Sequence, residues 1–509
     1  MIPDGEKIDP GRRVMITVAV MLASILTALD TTIANVALPH IRGSLSATLE
    51  QMGWVLTSYI VATAIMTPLA GWLAGQVGRR KVLLISIAGF TLTSALCGIA
   101  TSLSELVLFR ALQGAFGASL VPMSQAVLLD INPPEHHGRA TAIWAMGVLV
   151  GPIIGPALGG WLTDNYSWRW VFYINIPFGI LSLLGVLSFL PESQVRRSRF
   201  DIFGFATLSL AIGALQVMLD RGQLLDWFNS PEICAEALIC GIAFYLFLVH
   251  TFTSRSPFVS PVLFADRNFA IGNLFVFIVG VVLFATLALL PPLLQDLMGY
   301  PVVTTGLVTA PRGLGAFLTM ILVGRLVGRV DSRMLIAGGF VATALSLWYM
   351  CGFSLQMDSH LVILGGYLQG IGTGLVYVPL AAISFATLTP QLRSEGTAIF
   401  SLLRNVGSSI GIAVVQAQLT RSTQVMHAQL ADQLQAFGGH LQSKLPFDIG
   451  TAKGLAALNA EVTRQAQMIA YNNDFKMLLV LTVAVAPLLL LLRRPAAGTA
   501  PADAVALAE

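Results

Sequence analysis

The chain has 509 residues, of which 55% are hydrophobic and 11% are charged, and its formal net charge is +3. Soluble globular domains carry about 25% charged residues, so this composition excludes a soluble enzyme and predicts an all-α polytopic membrane protein. The mean hydropathy of +0.77 agrees with that class. The four cysteines lie in apolar stretches and form neither a metal-binding nor a disulfide pattern.

Apolar runs long enough to cross a bilayer, which takes roughly 20 helical residues, occur about fourteen times. Lysine and arginine concentrate in one set of loops, as in Arg79, Arg80 and Lys81. The positive-inside rule therefore predicts that these loops and both termini are cytoplasmic. Termini on one side require an even number of spans. The predicted spans are 14–36, 53–74, 82–101, 106–129, 140–162, 168–190, 201–219, 233–252, 270–295, 304–324, 334–354, 361–386, 396–418 and 475–492.

The chain also repeats itself. The segment that begins at Gly71 aligns with the one that begins at Gly324, and Leu-Gln-Gly at 112–114 aligns with Leu-Gln-Gly at 368–370. Both copies cross the membrane in the same direction, as the two halves of many transporters do. The predicted domains are a cytoplasmic N-terminus (1–13), a six-helix half (14–190), a linker with two inserted spans (191–269), a second six-helix half (270–492) containing a periplasmic helical hairpin (419–474), and a cytoplasmic tail (493–509).

In chain order, the first candidate for chemistry is Asp30, which lies within the first span, and Arg110 lies at a similar depth in the fourth. Charges inside spans are costly and are functional candidates by default. Low dielectric favours the neutral carboxylic acid, whereas a neighbouring arginine favours the carboxylate. An Asp30–Arg110 pair is therefore suited to proton coupling, and a purely structural ion pair is the alternative. Glu50, Glu105 and Asp130 lie at span ends and are weaker candidates.

A cytoplasmic gate is predicted around the loop between spans 2 and 3. Its positive residues are membrane anchors that can also contact neighbouring helix ends. The residues assigned to the gate are Gly71, Gly78, Arg79 and Arg80.

Several polar residues inside spans are candidates for a substrate cavity. Gln113 shares one face of span 4 with Arg110, because three residues separate them on a helix. The second half has Gly366 where Arg110 aligns, so the charges are asymmetric. Arg404 and Arg312 are candidates either for binding an anionic group or for stabilising helices. The cavity candidates are Asn35, Gln113, Gln125, Asn273, Gln295, Tyr377 and Arg404.

Span 5 carries glycines at every fourth position, which form a stripe along one helix face. Such a stripe lets a neighbouring helix approach closely, and the two prolines beside it are expected to bend the helix. A simple packing face and a functional motif both remain open. The residues concerned are Gly147, Gly151, Pro152, Gly155, Pro156, Gly159 and Gly160.

Between spans 13 and 14, residues 419–474 form a long polar segment on the outer side. Helical patterns on both sides of a glycine- and proline-rich turn predict a hairpin that stands outside the membrane. It either caps its own transporter or docks a partner.

Four motifs together resemble the fourteen-span drug:proton antiporters of the major facilitator superfamily, of the EmrB type. They are Leu29 to Pro39 in span 1, Gly71 to Lys81 between spans 2 and 3, Arg110 to Gly117 in span 4, and Gly147 to Gly160, which matches the antiporter motif. The chain departs from the loop motif at Gly75 and Gln76, where the family commonly has an acidic residue followed by arginine. A salt bridge from that acid is therefore missing.

The resemblance implies the major facilitator fold, with two six-helix halves and two inserted helices, and export of hydrophobic or amphiphilic toxic compounds in exchange for protons. It implies no cofactor beyond the proton gradient, and the sequence has no nucleotide-binding loop of the GxxxxGK[ST] type. The implied partners are a periplasmic membrane-fusion adaptor of the EmrA kind and an outer-membrane channel, with no nucleic acid. The implied location is the inner membrane of a Gram-negative bacterium.

Other functions remain open. An exporter of a specific metabolite or fatty acid would share the fold and the motifs. A non-transporting sensor or assembly protein would need neither Asp30 nor the repeat. A membrane enzyme or metal site would need a cluster of suitable side chains, and Glu135, His136 and His137 are better explained as solvated surface.

Overall fold

The computed structural model describes residues 9–133, 136–192, 195, 199–327, 329–389, 391–436 and 451–493. Over these residues the secondary structure is helical, apart from turns and one isolated bridge between Val327 and Val330. The α-helices are α1 (Pro10–Leu45), α2 (Leu49–Val77), α3 (Arg79–Ile99), α4 (Leu103–Gly117), α5 (Leu120–Ile131), α6 (His137–Asn165), α7 (Trp170–Tyr173), α8 (Asn175–Phe189), α9 (Ile202–Arg221), α10 (Pro231–Thr253), α11 (Val262–Ala265), α12 (Arg267–Pro292), α13 (Val302–Leu326), α14 (Ser332–Met350), α15 (Ser359–Phe385), α16 (Arg393–Ala436) and α17 (Ala452–Val485).

Thirteen helical segments of the described residues are long and apolar enough to cross a bilayer. Two of them join consecutive helices: α4 with α5, and α7 with α8. Helix α6, with 29 residues, lies where the sequence predicts the fifth span and completes a set of fourteen. The prediction of an all-α polytopic membrane protein is confirmed.

Helix starts follow local sequence signals. Thr48 and Gln51 form a reciprocal capping box at the start of α2, and Ser102 and Glu105 form another at α4. Each box satisfies backbone N–H groups that have no partner inside the helix. Gly78 alone separates α2 from α3 and has a φ of 89°, which a residue with a Cβ rarely adopts. The one-residue connection between α2 and α3 therefore depends on this glycine.

The packing follows the sequence repeat. Helix α4 packs on α2 and α3 as α15 packs on α13 and α14, and α1 packs on α6 as α12 packs on α16. The two halves contact each other through two equivalent helix pairs: α6 of the first half packs on α13 of the second, and α16 of the second half packs on α2 of the first. Helices α9 and α10 pair with each other, and α9 joins them to α2 and α16. Many large apolar side chains on α10 are exposed, as expected of a helix that faces lipid.

The two ends of the bundle differ. We call the end where α1 begins and the last described residues lie the terminal end, and the opposite end the hairpin end. At the hairpin end α16 continues to Ala436, and its 44 residues make it roughly 66 Å long at about 1.5 Å per residue. It pairs there with the first part of α17. Of the predicted termini (1–13 and 493–509), residues 1–8 and 494–509 lie outside the described residues. The same is true of the hairpin tip at 437–450 and of the side chains of Pro152 and Pro156.

Candidate functional site: a buried charge cluster and a gate between the halves

Asp30 lies at the centre of a sealed polar cluster inside the first half. Its carboxylate accepts hydrogen bonds from Arg110 Nη1 at 2.6 Å, Gln113 Nε2 at 2.9 Å and Asn175 Nδ2 at 2.9 Å. Asp30 is 1% exposed, and Arg110 and Gln113 are fully buried. The structure thus brings the two predicted charges into contact, and it satisfies the carboxylate as a buried charge requires.

Arg110 has further partners besides Asp30. Its Nη1 also donates to Gln113 Oε1 at 2.6 Å, and its Nε donates to the carbonyl of Val55 at 3.3 Å. The guanidinium carbon lies 4.2 Å from the centre of the Tyr59 ring and 5.7 Å from that of Phe172, both within the range of a cation–π contact. Arg110 therefore has partners that do not depend on the Asp30 carboxylate.

Asn175 was missed by the sequence analysis. Its amide bridges Asp30 and the hydroxyl of Ser94, to which it donates at 3.0 Å. Asn175 and Ser94 are both fully buried, at the start of α8 and within α3. An asparagine inside an apolar span could have been recognised in the sequence as a candidate. Its hydrogen-bond partners, however, depend on how α1, α3 and α8 pack.

The glycine stripe of α6 faces α1, the helix that carries Asp30. A Cβ atom at Gly151 would lie 2.5 Å from the backbone carbon of Ala28, and one at Gly159 would lie 3.1 Å from Ile33. Thr32 Oγ1 donates to the carbonyl of Gly151 at 3.1 Å across the same contact. The stripe is a packing face, and what it packs against is the backbone next to Asp30.

We expect Gly151→Ala to lower both stability and transport, because the added methyl meets a helix backbone rather than a movable side chain. Overpacking of this kind costs about 1–3 kcal/mol. Gly160→Ala is the matched control on the same helix, since the nearest atom to its Cβ would be Val36 Cγ1 at 3.9 Å. Thermal unfolding of the purified proteins tests this, and equal stability of the two variants would contradict it.

Two of the predicted gate residues, Gly71 and Arg79, lie where the two halves meet at the terminal end. Gly71 of α2 lies against the backbone of Glu395 in α16, and its repeat partner Gly324 of α13 lies against Ala142 in α6. Arg79 Nε donates to Ser394 Oγ at 2.7 Å. The two repeated glycines thus form equivalent contacts, one in each of the two helix pairs that join the halves.

The acid missing from the loop is replaced by one from α5. Asp130 forms ion pairs with Arg79 of the first half and with Arg393 of the second, the latter at 3.3 Å. This residue ranked only as a weaker candidate in the sequence, because nothing local indicated that α5 would end beside α16. Arg80 instead stays within the first half, where it donates to the carbonyl of Leu187 at 2.7 Å.

The predicted cavity residues do not form one group. Tyr377 and Arg404 are joined, since Arg404 Nη1 donates to the Tyr377 hydroxyl at 3.0 Å, and Gln113 belongs to the Asp30 cluster. Gln125 and Asn273 are buried elsewhere. The remaining two are Asn35, which is exposed, and Gln295, which is half-buried.

Trp144 is a second residue that the sequence analysis missed. Its ring stacks on Tyr377 of the second half with centroids 6.4 Å apart, and its Nε1 donates to Ser24 at 3.0 Å. It is 1% exposed and, with Tyr377 and Phe400, forms an aromatic contact between the halves near Arg404.

The prediction of solvated surface agrees with His136 but is wrong for His137, which is the first residue of α6, and Glu135 lies outside the described residues. His136 is exposed, and His137 is buried with its Nε2 3.1 Å from the carbonyl oxygen of Asn132. In the part of the chain that the structure describes, no group of three or more His, Cys, Asp or Glu side chains could hold a metal ion.

Comparison with known proteins identifies the family. The Major Facilitator Superfamily matches residues 20–412. The chain belongs to the major facilitator superfamily. It is 36% identical over 480 residues to the multidrug export protein EmrB of Escherichia coli (strain K12), covering 93% of this chain and 94% of that protein. It is 35% identical over 486 residues to the fatty acid resistance protein FarB of Neisseria gonorrhoeae, covering 94% and 96%.

A solved structure shows the same major facilitator fold. The proton:xylose symporter XylE superposes with a TM-score of 0.59 at 14% sequence identity, over 94% of this chain and 96% of that one. The family and fold indicated by the four motifs are thereby confirmed. As a member of this family, the protein is a multi-pass membrane transporter.

We expect Asp130→Asn to loosen the terminal end of this major facilitator protein. Loss of the carboxylate leaves two guanidinium groups facing each other, and breaking a buried ion pair costs about 3–5 kcal/mol. Spin labels at Val77→Cys and Met334→Cys, both exposed at the terminal end, report the change as a longer distance. They are placed in a background that lacks the native cysteines.

Asp201→Asn serves as the control for the Asp130 prediction. Asp201 is also largely buried at the terminal end, but it pairs with His250 of the α9–α10 pair and not across the halves. If the two variants give the same distance distribution as the unsubstituted protein, Asp130 does not hold this end closed.

Proposed function

We propose that the protein is a proton-coupled antiporter that exports hydrophobic or amphiphilic toxic compounds by alternating access. The observation that carries the proposal is the buried Asp30 carboxylate, held by Arg110, Gln113 and Asn175 inside the first half. Ionisable residues inside membrane spans pair with one another and mark transport pathways, and acidic residues among them form proton relays. The likeness to the multidrug export protein EmrB supports the choice of substrates.

The mechanism starts from the state in the structure. The contacts of Asp130 and Gly71 join the halves at the terminal end. In the proposed mechanism this is the state in which the compound site opens toward the hairpin end. A proton taken up by Asp30 removes its attraction to Arg110, which turns to Gln113 and the Tyr59 ring. The altered fit between α1 and its neighbours then favours the state that opens the terminal end. Substrate and proton bind these states with different affinities, and this difference couples them.

The orientation follows from the charges. Lysine and arginine of the loops gather at the terminal end, so we place that end in the cytoplasm and the protein in the bacterial inner membrane. Protons then enter through the hairpin end, and the proton gradient supplies the energy without a further cofactor.

The hairpin is proposed to dock a periplasmic membrane-fusion adaptor, which would lead to an outer-membrane channel. In the described residues 424–436 and 452–470, side-chain hydrogen bonds stay within the hairpin, as between His427 and Asn459 at 3.0 Å. Gln223 contacts Thr420 only near the base. A hairpin that projects and binds mainly to itself suits a docking element better than a cap.

Inverted membrane vesicles test the proposal. With an acidic lumen, the protein should accumulate a fluorescent lipophilic cation in the lumen, and nigericin with potassium should abolish the accumulation by collapsing the pH gradient. Vesicles without the protein are the control. Absence of gradient-driven accumulation for this cation would contradict multidrug antiport.

A fatty-acid exporter is the second candidate, because the identity to the fatty acid resistance protein FarB, 35%, is close to that with EmrB. The same vesicles distinguish the two functions. Gradient-dependent movement of a medium-chain fatty acid without movement of the cation would favour the second candidate.

A further inference from the structure

The second half contains a modified copy of the Asp30 cluster. Gln369 Nε2 donates to Thr286 Oγ1 at 3.0 Å, as Gln113 Nε2 donates to Asp30 Oδ1 at 2.9 Å. The two pairs are related by one offset, since Gln113 to Gln369 and Asp30 to Thr286 are both 256 positions. A neutral threonine therefore stands where the first half has its carboxylate.

The arginine of this copy is kept, but it comes from a different helix. Gly366 stands 256 positions after Arg110. The space beside it is taken by Arg312 of α13, whose Cβ lies 3.6 Å from where a Gly366 Cβ would be. Arg312 Nη2 donates to the carbonyl of Leu283 at 3.0 Å. The second half thus holds a guanidinium at the corresponding helix contact without the aspartate.

Arg312 is a buried cation with an incomplete set of partners. It is 8% exposed, and no described carboxylate lies within 4 Å of it to form an ion pair. Its Nη1 is buried and has no hydrogen-bond partner among the described residues, and the same holds for Gln369 Oε1. An isolated charge away from water is costly unless it is paired. Arg110 shows how the same chemistry is completed when an anion is present.

A small apolar cavity lies beside Gln369, and Arg312 reaches its edge through the carbonyl of Leu283 without itself being one of the lining residues. It is lined by Gln369 and by Leu283, the residue whose carbonyl binds Arg312, together with Val282, Phe340, Thr343 and Thr373. Its volume of about 30 Å³ holds roughly two water-sized groups, which is the size of a carboxylate. Thr343 and Thr373 stand at its wall, and the Thr373 hydroxyl already donates to the carbonyl of Gln369 at 2.9 Å.

We propose that Arg312 binds the carboxylate head group of an amphiphilic substrate, beside Gln369 and the threonines of the cavity. The carboxylate of the substrate pairs with Arg312 as the Asp30 carboxylate pairs with Arg110 in the first half. The apolar chain of the substrate lies along the apolar helix faces. The inference rests on the proposed export function and adds the amphiphilic carboxylates to the compounds that the protein exports, with a binding site of their own. In this division the first half binds the proton and the second half recognises the anion.

Binding by the purified full-length protein in zwitterionic lipid nanodiscs tests the inference, with quenching of tryptophan fluorescence as the readout. The probes share one chain: dodecanoate, dodecanol and dodecyltrimethylammonium. We expect dodecanoate to bind at least tenfold more tightly than dodecanol. Arg312→Gln should remove that preference while dodecanol binding changes less than twofold. Arg325→Gln, an exposed arginine on the same helix, should keep the preference.

Relocating the arginine separates recognition from folding. In Arg312→Gln with Gly366→Arg, the charge returns from the helix that corresponds to α4, and we expect most of the preference for dodecanoate to return. Arg312→Lys should retain part of it. The inference is overturned if Arg312→Gln binds dodecanoate as Arg325→Gln does, or if it weakens all three probes equally. A folded double variant without the preference would also overturn it.

A failure of the anion site can be distinguished from a failure of the proposed function. Binding is measured without a gradient, whereas the proposed function fails if the unsubstituted protein does not move the lipophilic cation in vesicles. Preference for dodecanoate with no role for Arg312 would leave antiport intact and refute only the anion site.

Discussion

Asp30→Asn is expected to abolish gradient-driven export while the protein still folds and binds its compound. Asparagine keeps the shape of the side chain and can still accept from Gln113 and Asn175, but it cannot take up and release a proton. Intramembrane acids are retained because they carry such steps. The transport rate in inverted vesicles should fall at least about 100-fold, which corresponds to an activation free energy higher by about 2.7 kcal/mol.

Asp164→Asn is the matched control for the Asp30 prediction. Asp164 lies at the hairpin end of α6, its side chain is 70% exposed, and it approaches His40 at 3.7 Å. An exposed pair of this kind contributes about 0–1 kcal/mol, so its variant should transport normally. Full gradient-driven export by Asp30→Asn would mean that another group carries the proton.

Removal of Arg110 is expected to have the largest effect on stability. Arg110→Gln leaves the Asp30 carboxylate in a site that is 1% exposed, with only the amides of Gln113 and Asn175 as donors. Removing one partner of a buried ion pair costs about 3–5 kcal/mol. The free energy of unfolding, measured by denaturation in detergent, should fall by that amount.

The double variant Asp30→Asn with Arg110→Gln separates charge from packing. A neutral pair of similar volume is often as stable as the ion pair it replaces, so most of the stability should return although transport does not. Arg42→Gln, an exposed position in the last turn of α1, should change stability by less than about 1 kcal/mol. If the double variant is as unstable as Arg110→Gln, the loss comes from packing rather than from an unpaired charge.

The sequence allowed prediction of much of the charge cluster because the relevant rules are local. Asp30 and Arg110 stand out because a charge within an apolar run is costly wherever the run is placed. Their similar depth follows from counting residues along two spans of opposite direction. Gln113 follows from Arg110, since a separation of three residues places both side chains on one helix face.

The other partners of the cluster and the gate required the packed structure. Asn175 reaches Asp30 across 145 positions of the chain, and Arg393 reaches Asp130 across 263. The loop sequence showed that an acid was missing near Arg79, but only the position of α5 beside α16 showed that Asp130 replaces it. The same holds for Trp144, whose contact with Tyr377 joins the two halves.

By itself, the sequence determined that this is a polytopic helical membrane protein, because a chain that spans lipid as helices needs long apolar segments. It also determined that there are two repeated halves, because the same motifs recur at a constant offset. The tertiary structure alone decided the geometry of the Asp30–Arg110 pair and the pairing of the other buried charges. Asp30 and Arg110 meet, Asp130 joins both halves, and Arg312 remains without a carboxylate among the described residues. The physical reason is that pairing depends on distances of a few ångströms between helices far apart in the chain, and these are set by packing of the whole bundle.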